Sequence, residues 1–170
     1  MSKSKKEIKN DSLICDILNT IEYNGNVKIK VYNNDTLFKT IENHNTGTID
    51  LCNYIRDVMI GLGMSINQPT VIQPCRKSGG VLVPMSTQGI DFVSRWRGTN
   101  SSTEATAVIK FIIPWVQLSN GQVIGGFRLC SKNRDNGYYA EIMLNDDEEI
   151  TITSHTNIEV EWSLKVTYVI

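Results

Sequence analysis

The run Asn43-His44-Asn45-Thr46-Gly47-Thr48 sets an imidazole beside two amides and two hydroxyls. An imidazole titrates near neutrality, so it is the side chain best suited to moving a proton at pH 7. With a nucleophile and an orienting group converging on it, His44 would be the general base of a hydrolytic site. The sequence places no such partner nearby. The other histidine, His155, also stands alone, without the i, i+4 partner or the carboxylate pair that metal or acid–base chemistry needs. The economical reading makes His44, Asn45, Thr46 and Gly47 a structural bend between a strand and a helix, their polar groups serving the bend and the helix cap.

The other chemistry-bearing residues divide the same way. The acidic run at residues 145–149 lacks the spaced ligands and central glycine of a calcium loop and reads as a solvated hairpin tip. Arg95-Trp96-Arg97 has the basic and aromatic make-up of a single-strand nucleic-acid contact. As an isolated tripeptide it reads better as a core tryptophan flanked by wetted arginines. Trp115 after Pro114, with Trp96, Tyr138 and Tyr139, could stack on a sugar; the competing reading of Trp115 is an edge anchor. Gly61, Gly63, Gly79 and Gly80 lack the lysine–serine pair and βαβ context of a phosphate loop. Cys15, Cys52, Cys75 and Cys130 contain no Cys-x-x-Cys pair, so buried reduced thiols are expected rather than a zinc centre or a disulfide frame.

The elements that would position these residues are mainly strands. Leu13, Ile14, Ile17, Leu18 and Ile21 recur at helical spacing, predicting a helix over residues 12–21 closed by Asn24-Gly25. Val27, Ile29 and Val31 then alternate with polar residues, Asn33-Asn34-Asp35 turns, and residues 36–41 return as the second strand of a hairpin. Ile49, Cys52, Ile55, Met59 and Leu62 predict an amphipathic helix over residues 48–62, capped by Thr46 or Thr48. Beyond Met64 come short strands at residues 70–73, 80–84, 90–96, 105–113, 122–130, 138–144, 149–154 and 158–170. Asn120-Gly121 and Asn136-Gly137 are hairpin-turn dipeptides. The last run is the plainest, with Ile158, Val160, Trp162, Leu164, Val166, Tyr168 and Ile170 on one face and polar residues on the other. The expected fold is mainly β, a sandwich of jelly-roll or immunoglobulin-like type. An arm and helix at residues 1–26 precede a β-domain at residues 27–170.

A net charge of −1 provides no field to gather nucleic acid or an anionic membrane. With 41% hydrophobic and 21% charged residues, the chain can bury a core of its own. Apolar stretches fall far short of the ~20 residues of a membrane helix. After the basic start MSKSKKEIKN, Asp11 and Asp16 interrupt any secretory h-region.

Two segments carry a resemblance. VKIKVYNNDTLFKTIENHNTGTIDLCNYIRDVMIG, residues 27–61, is similar to a phage pattern of hairpin, His-Asn-x-Gly-Thr bend and Leu/Cys-bearing helix. IGGFRLCSKNRDNGYYAEIMLNDDEEITITSHTNIEVEWSLKVTYVI, residues 124–170, resembles strand pairs that close on an alternating strand with a central tryptophan, here Trp162. Both resemble small virion proteins of tailed bacteriophages, including those of crAss-like gut phages. The resemblance implies a non-enzymatic structural role: an auxiliary or decoration protein of the capsid or a head-fibre anchor, with a collar, tail or baseplate position as the alternative. It implies localisation in the virion and partners among major capsid, fibre or tail subunits. A homo-oligomer within the particle is expected, with no nucleic acid, no membrane, no cofactor and no metal. Leu13, Ile14, Ile17, Leu18 and Ile21 are the expected docking stripe; the competing account has that helix cover its own β-domain. A carbohydrate-binding module is the reading from another class.

Overall fold

The structure, a computed structural model, describes residues 21–51, 54, 68–86, 89–98, 101, 104–132 and 137–168. Strands β1 (Ile21–Asn33) and β2 (Thr36–Gly47) open the chain, then β3 (Val71–Ser78), β4 (Val81–Pro84), β5 (Ile90–Asp91), β6 (Ser94–Arg97) and β7 (Glu104–Ile113). A 3-10 turn at Trp115–Gln117 precedes β8 (Val123–Ile124), β9 (Gly126–Cys130), β10 (Ala140–Met143), β11 (Ile150–Thr151) and β12 (Thr156–Tyr168). The main sheet runs β4-β3-β9-β10-β2-β1-β12-β7-β6, with β5 paired to β3 and β8–β11 as a separate ribbon. Every pairing is antiparallel. The mainly β expectation is met.

Over residues 158–162 β12 behaves as its pattern predicts. Ile158, Val160 and Trp162 are buried while Glu159 and Glu161 lie on the opposite, wetter face. Its neighbours β1 and β7 bury Val27, Ile29, Val31, Ile109, Phe111 and Ile113 in the same cluster as Ile72, Phe127, Leu129 and Ile142 from β3, β9 and β10. Each such aliphatic side chain contributes about 1.5–3 kcal/mol by leaving water. In β3 and β9 burial is nearly continuous, with Val71, Cys75 and Cys130 covered as well as Ile72, Phe127 and Leu129. Residues 71–75 of β3 and 126–130 of β9 are therefore covered on both faces.

The outer face of β2, β1, β12 and β7 carries a cross-strand charge ladder. Lys28 meets Glu42 at 2.6 Å, and Glu159 is held between Lys30 at 3.0 Å and Lys110 at 2.8 Å. Desolvation would raise the Glu159 carboxyl, but hydrogen bonds from Lys110 and Lys30 outweigh it and hold its pKa below the usual value.

Three expectations are corrected. β1 begins at Ile21, so Ile21 lies in a strand, and Asn24-Gly25 lies inside that strand rather than ending a helix. Residues 26 and 27, the expected domain boundary, fall within the same strand. Leu13, Ile14, Ile17 and Leu18 lie outside the described residues. Second, His44, Asn45, Thr46 and Gly47 are not a bend but the last part of β2. Their backbone groups enter ladders instead: His44 pairs Asn26 and Asn45 pairs Gly25, after which β10 takes over with Thr46 opposite Glu141 and Gly47 opposite Ala140. The helix starts only beyond, with residues 49–51 and 54 helical; the rest of the expected helix lies outside the described residues. Third, Asn120-Gly121 turns with Gly121 at φ 83°, but it leads into β8, which pairs β11 rather than the strand before it. The Asn34-Asp35 turn is as expected: both residues have positive φ (49° and 61°), joining β1 to β2 in the left-handed backbone that two-residue hairpins require.

Candidate interaction surface

His44 is exposed on β2, and its amide is bonded by its neighbour, the Asn43 side chain, at 2.9 Å. His155 sits in the turn before β12 with Nδ1 3.0 Å from Ser154 Oγ. The two histidines therefore belong to different elements, and neither is held by a carboxylate in these contacts. Asn45 turns inward over Gly25, and both its amide atoms are buried without a partner. Thr48 donates its hydroxyl to the Tyr138 and Tyr139 carbonyls (2.5 and 3.0 Å), tying the start of the helix to the two residues that lead into β10. The polar run thus locks two ladders together.

The acidic run is a turn between β10 and β11, strands that do not pair with each other, so it is not a hairpin tip. Lys77 reaches Asp146 at 2.6 Å and Glu149 at 3.1 Å, and Lys39 donates to the Asp147 carbonyl at 2.6 Å. Two of the run's carboxylates, Asp146 and Glu149, are thus paired with a lysine. Among the described residues no group of three or more potential metal ligands comes together.

The aromatic candidates separate as well. Tyr139 is fully buried and packs against Tyr54 at 5.3 Å between ring centres, which removes it from any sugar platform. Tyr138 lies beneath the Arg128 guanidinium at 4.1 Å, with Arg128 paired to Glu141 at 3.1 Å. Trp96 is not a core residue: all of β6 is exposed. Trp115 is exposed too, but Trp96 faces Val108 while Trp115 lies beyond Ile113, about 17 Å further along β7 at strand rise. The two indoles do not form one platform.

Cys75 and Cys130 are buried free thiols, bonded to the Gln73 carbonyl and side-chain oxygen. Desolvation pushes both up to about 12. Unfolded thiols lose their protons near pH 9 while these retain them, so this contribution to stability is intact below pH 9 and falls as pH rises towards 12. Iodoacetamide at pH 8 is expected to leave Cys75 and Cys130 unmodified in the native protein and to label both in denaturant, read by peptide mass spectrometry. Labelling of either at the rate of a free thiol would contradict this assignment.

Sequence reasoning missed the most exposed apolar group among the described residues. In the β1–β2 ladder Val31 faces Lys39 and Tyr32 faces Leu37, so Phe38 is an extra, unpaired residue. Such a bulge redirects side chains. Phe38 is 76% exposed, with Leu37 beside it at 51%. The signal was present only as two adjacent apolar residues, Leu37 and Phe38, in a strand whose other residues are polar apart from Ile41 and Gly47. Elsewhere a groove of about 670 Å³ is lined by Pro74, Met85, Ile90, Val93, Ile112 and Leu118, with Ser86, Asp91 and Gln117 as polar groups. Exposed Trp115 and Val116 adjoin it in sequence. The arrangement suits apolar contact between molecules. Compared with protein-family models, with curated proteins and with solved structures, the chain matches none.

Proposed function

We propose that this chain is a non-enzymatic structural subunit of a bacteriophage virion, an auxiliary capsid protein or head-fibre anchor that docks on other virion subunits. In this reading the two halves of the sheet close on each other as a sandwich that presents its loops to neighbours. The observation that carries the docking role is Phe38: a bulge holds a large apolar side chain in water at the tip of a long, turn-locked hairpin. Contiguous exposed apolar surface marks sites where proteins associate, and Leu37 beside Phe38 extends it. The phage class rests on the resemblance of residues 27–61 and 124–170.

Phe38→Ser tests both parts. Its thermal midpoint is expected to stay near wild type, since an exposed substitution usually changes stability by no more than about 0.5 kcal/mol. Its abundance in purified particles, measured by mass spectrometry against the major capsid protein, is expected to drop at least about tenfold, a loss of about 1.4 kcal/mol of docking free energy. Equal incorporation would remove Phe38 from the docking surface. Absence of the wild-type chain from particles would sink the virion reading itself.

A further inference from the structure

Among the described residues the main sheet ends at β4 on one side and β6 on the other. The two edges differ. β4 carries Pro84, which has no N–H to offer, and proline is a usual device for blunting an edge. β6 reads Ser94-Arg95-Trp96-Arg97, without proline, and all four residues are exposed.

Its hydrogen-bond phase can be read from the next residue. Gly98 N–H donates to the Thr106 carbonyl at 2.9 Å, so the pair 98–106 is a bonded one. Bonded and non-bonded pairs alternate in an antiparallel ladder. With Trp96 opposite Val108 and Ser94 opposite Lys110 in the same register, Ser94 and Trp96 turn their main-chain groups towards β7. The N–H and C=O groups of Arg95 and Arg97 then point off the edge of the sheet. Both arginine side chains share one face, that of Ile109 and Ala107, while Trp96 lies on the other. The Arg95 guanidinium contacts neutral groups, the Gln68 side-chain oxygen at 2.9 Å and the Phe92 ring at 5.2 Å.

We propose that β6 is a strand-accepting edge that pairs with an extended segment of a partner protein, acidic opposite Arg95 and Arg97 and apolar opposite Trp96. A second copy of β6 fits poorly: antiparallel self-pairing centred on Trp96 would set Arg95 directly against Arg97 twice, and like charges directly opposed are destabilising. The outward N–H and C=O groups match a peptide backbone, and so favour strand addition over a nucleic-acid strand. Edge charges also serve to repel strands, and the experiment separates these uses.

The probe is a short peptide of alternating glutamate and valine, compared with its lysine-for-glutamate counterpart and with oligothymidylate. Binding is followed by fluorescence anisotropy and by amide hydrogen exchange in NMR. The glutamate peptide is expected to bind at least about tenfold more tightly than the lysine peptide and to weaken with added salt. On binding, the Arg95 and Arg97 amides are expected to gain protection while Ser94 and Trp96, already bonded to β7, stay unchanged. Arg97→Glu, folded by its circular dichroism and melting temperature, leaves Arg95 opposed by one negative charge and is expected to abolish the peptide preference. Equal binding of both peptides, no binding of either, protection without the alternate pattern, or binding of oligothymidylate alone would overturn the proposal. The inference rests on the docking reading only in taking the chain as a binding protein. The solution assay succeeds or fails whether or not the chain is found in particles.

Discussion

Trp162→Ala is expected to cost about 4 kcal/mol, the largest loss available from one core side chain, measured by denaturant unfolding. Trp162 is fully buried at the centre of β12, between Val27 of β1 and Ile109 of β7, so its removal empties the space where three strands meet. Large-to-small changes of this kind lose both transfer free energy and the contacts lining the cavity. The indole N–H finds no hydrogen-bond partner. A buried unpaired donor carries a desolvation cost of about 1–3 kcal/mol, so Trp162→Phe, which removes the donor and keeps a ring, is expected to lose about 2 kcal/mol or less. If alanine and phenylalanine cost the same, ring packing is not what Trp162 contributes.

Gly126→Ala is expected to be nearly as damaging, at about 3 kcal/mol, although it adds one methyl group. A Cβ there would stand 2.3 Å from the Ile142 carbonyl oxygen and 2.8 Å from both Leu82 methyl groups. The carbonyl belongs to β10, paired to β9 along Ala140 to Met143, so it cannot retreat without breaking a ladder. Gly25→Ala makes an instructive contrast. Its Cβ would meet the Asn45 amide, a side-chain tip with both polar atoms unpartnered. Gly25→Ala is therefore expected to be milder, at about 1–2 kcal/mol, and largely rescued by Asn45→Ala in a double-mutant cycle. Additive losses at Gly25 and Asn45 would show that the two do not share that space.

The contrast marks what could be read in advance. The alternation of Ile158, Val160 and Trp162 was legible because one face of β12 meets the core and the other meets water. The Asn34-Asp35 turn was legible because few residue pairs tolerate that backbone. The Asn43 to Gly47 run was not, because its polar side chains mimic a bend while its backbone is claimed by β1 and then β10. Asn45 reaches inward only because Gly25, twenty residues earlier, leaves room for it. The same long-range dependence hid the surface. Trp96 resembles a core residue until the sheet order makes β6 its edge, and Tyr139 resembles an exposed ring until Tyr54 covers it.

The pairing of β1 with β12 has a temporal consequence. The two strands match from Ile21–Tyr168 to Asn33–Thr156, yet Lys30 and its partner Glu159 are 129 positions apart. Closing so long a loop is entropically costly before the contacts reward it, which places such a chain among slow folders. During synthesis the β1–β2 hairpin can close in microseconds, but its natural neighbour emerges on the order of ten seconds later at ribosomal speed. For that interval the free side of β1 offers an unpaired edge with Val27, Ile29 and Val31 uncovered. The strand that completes the native core is thus also the one whose late arrival leaves nascent chains open to sticking to one another.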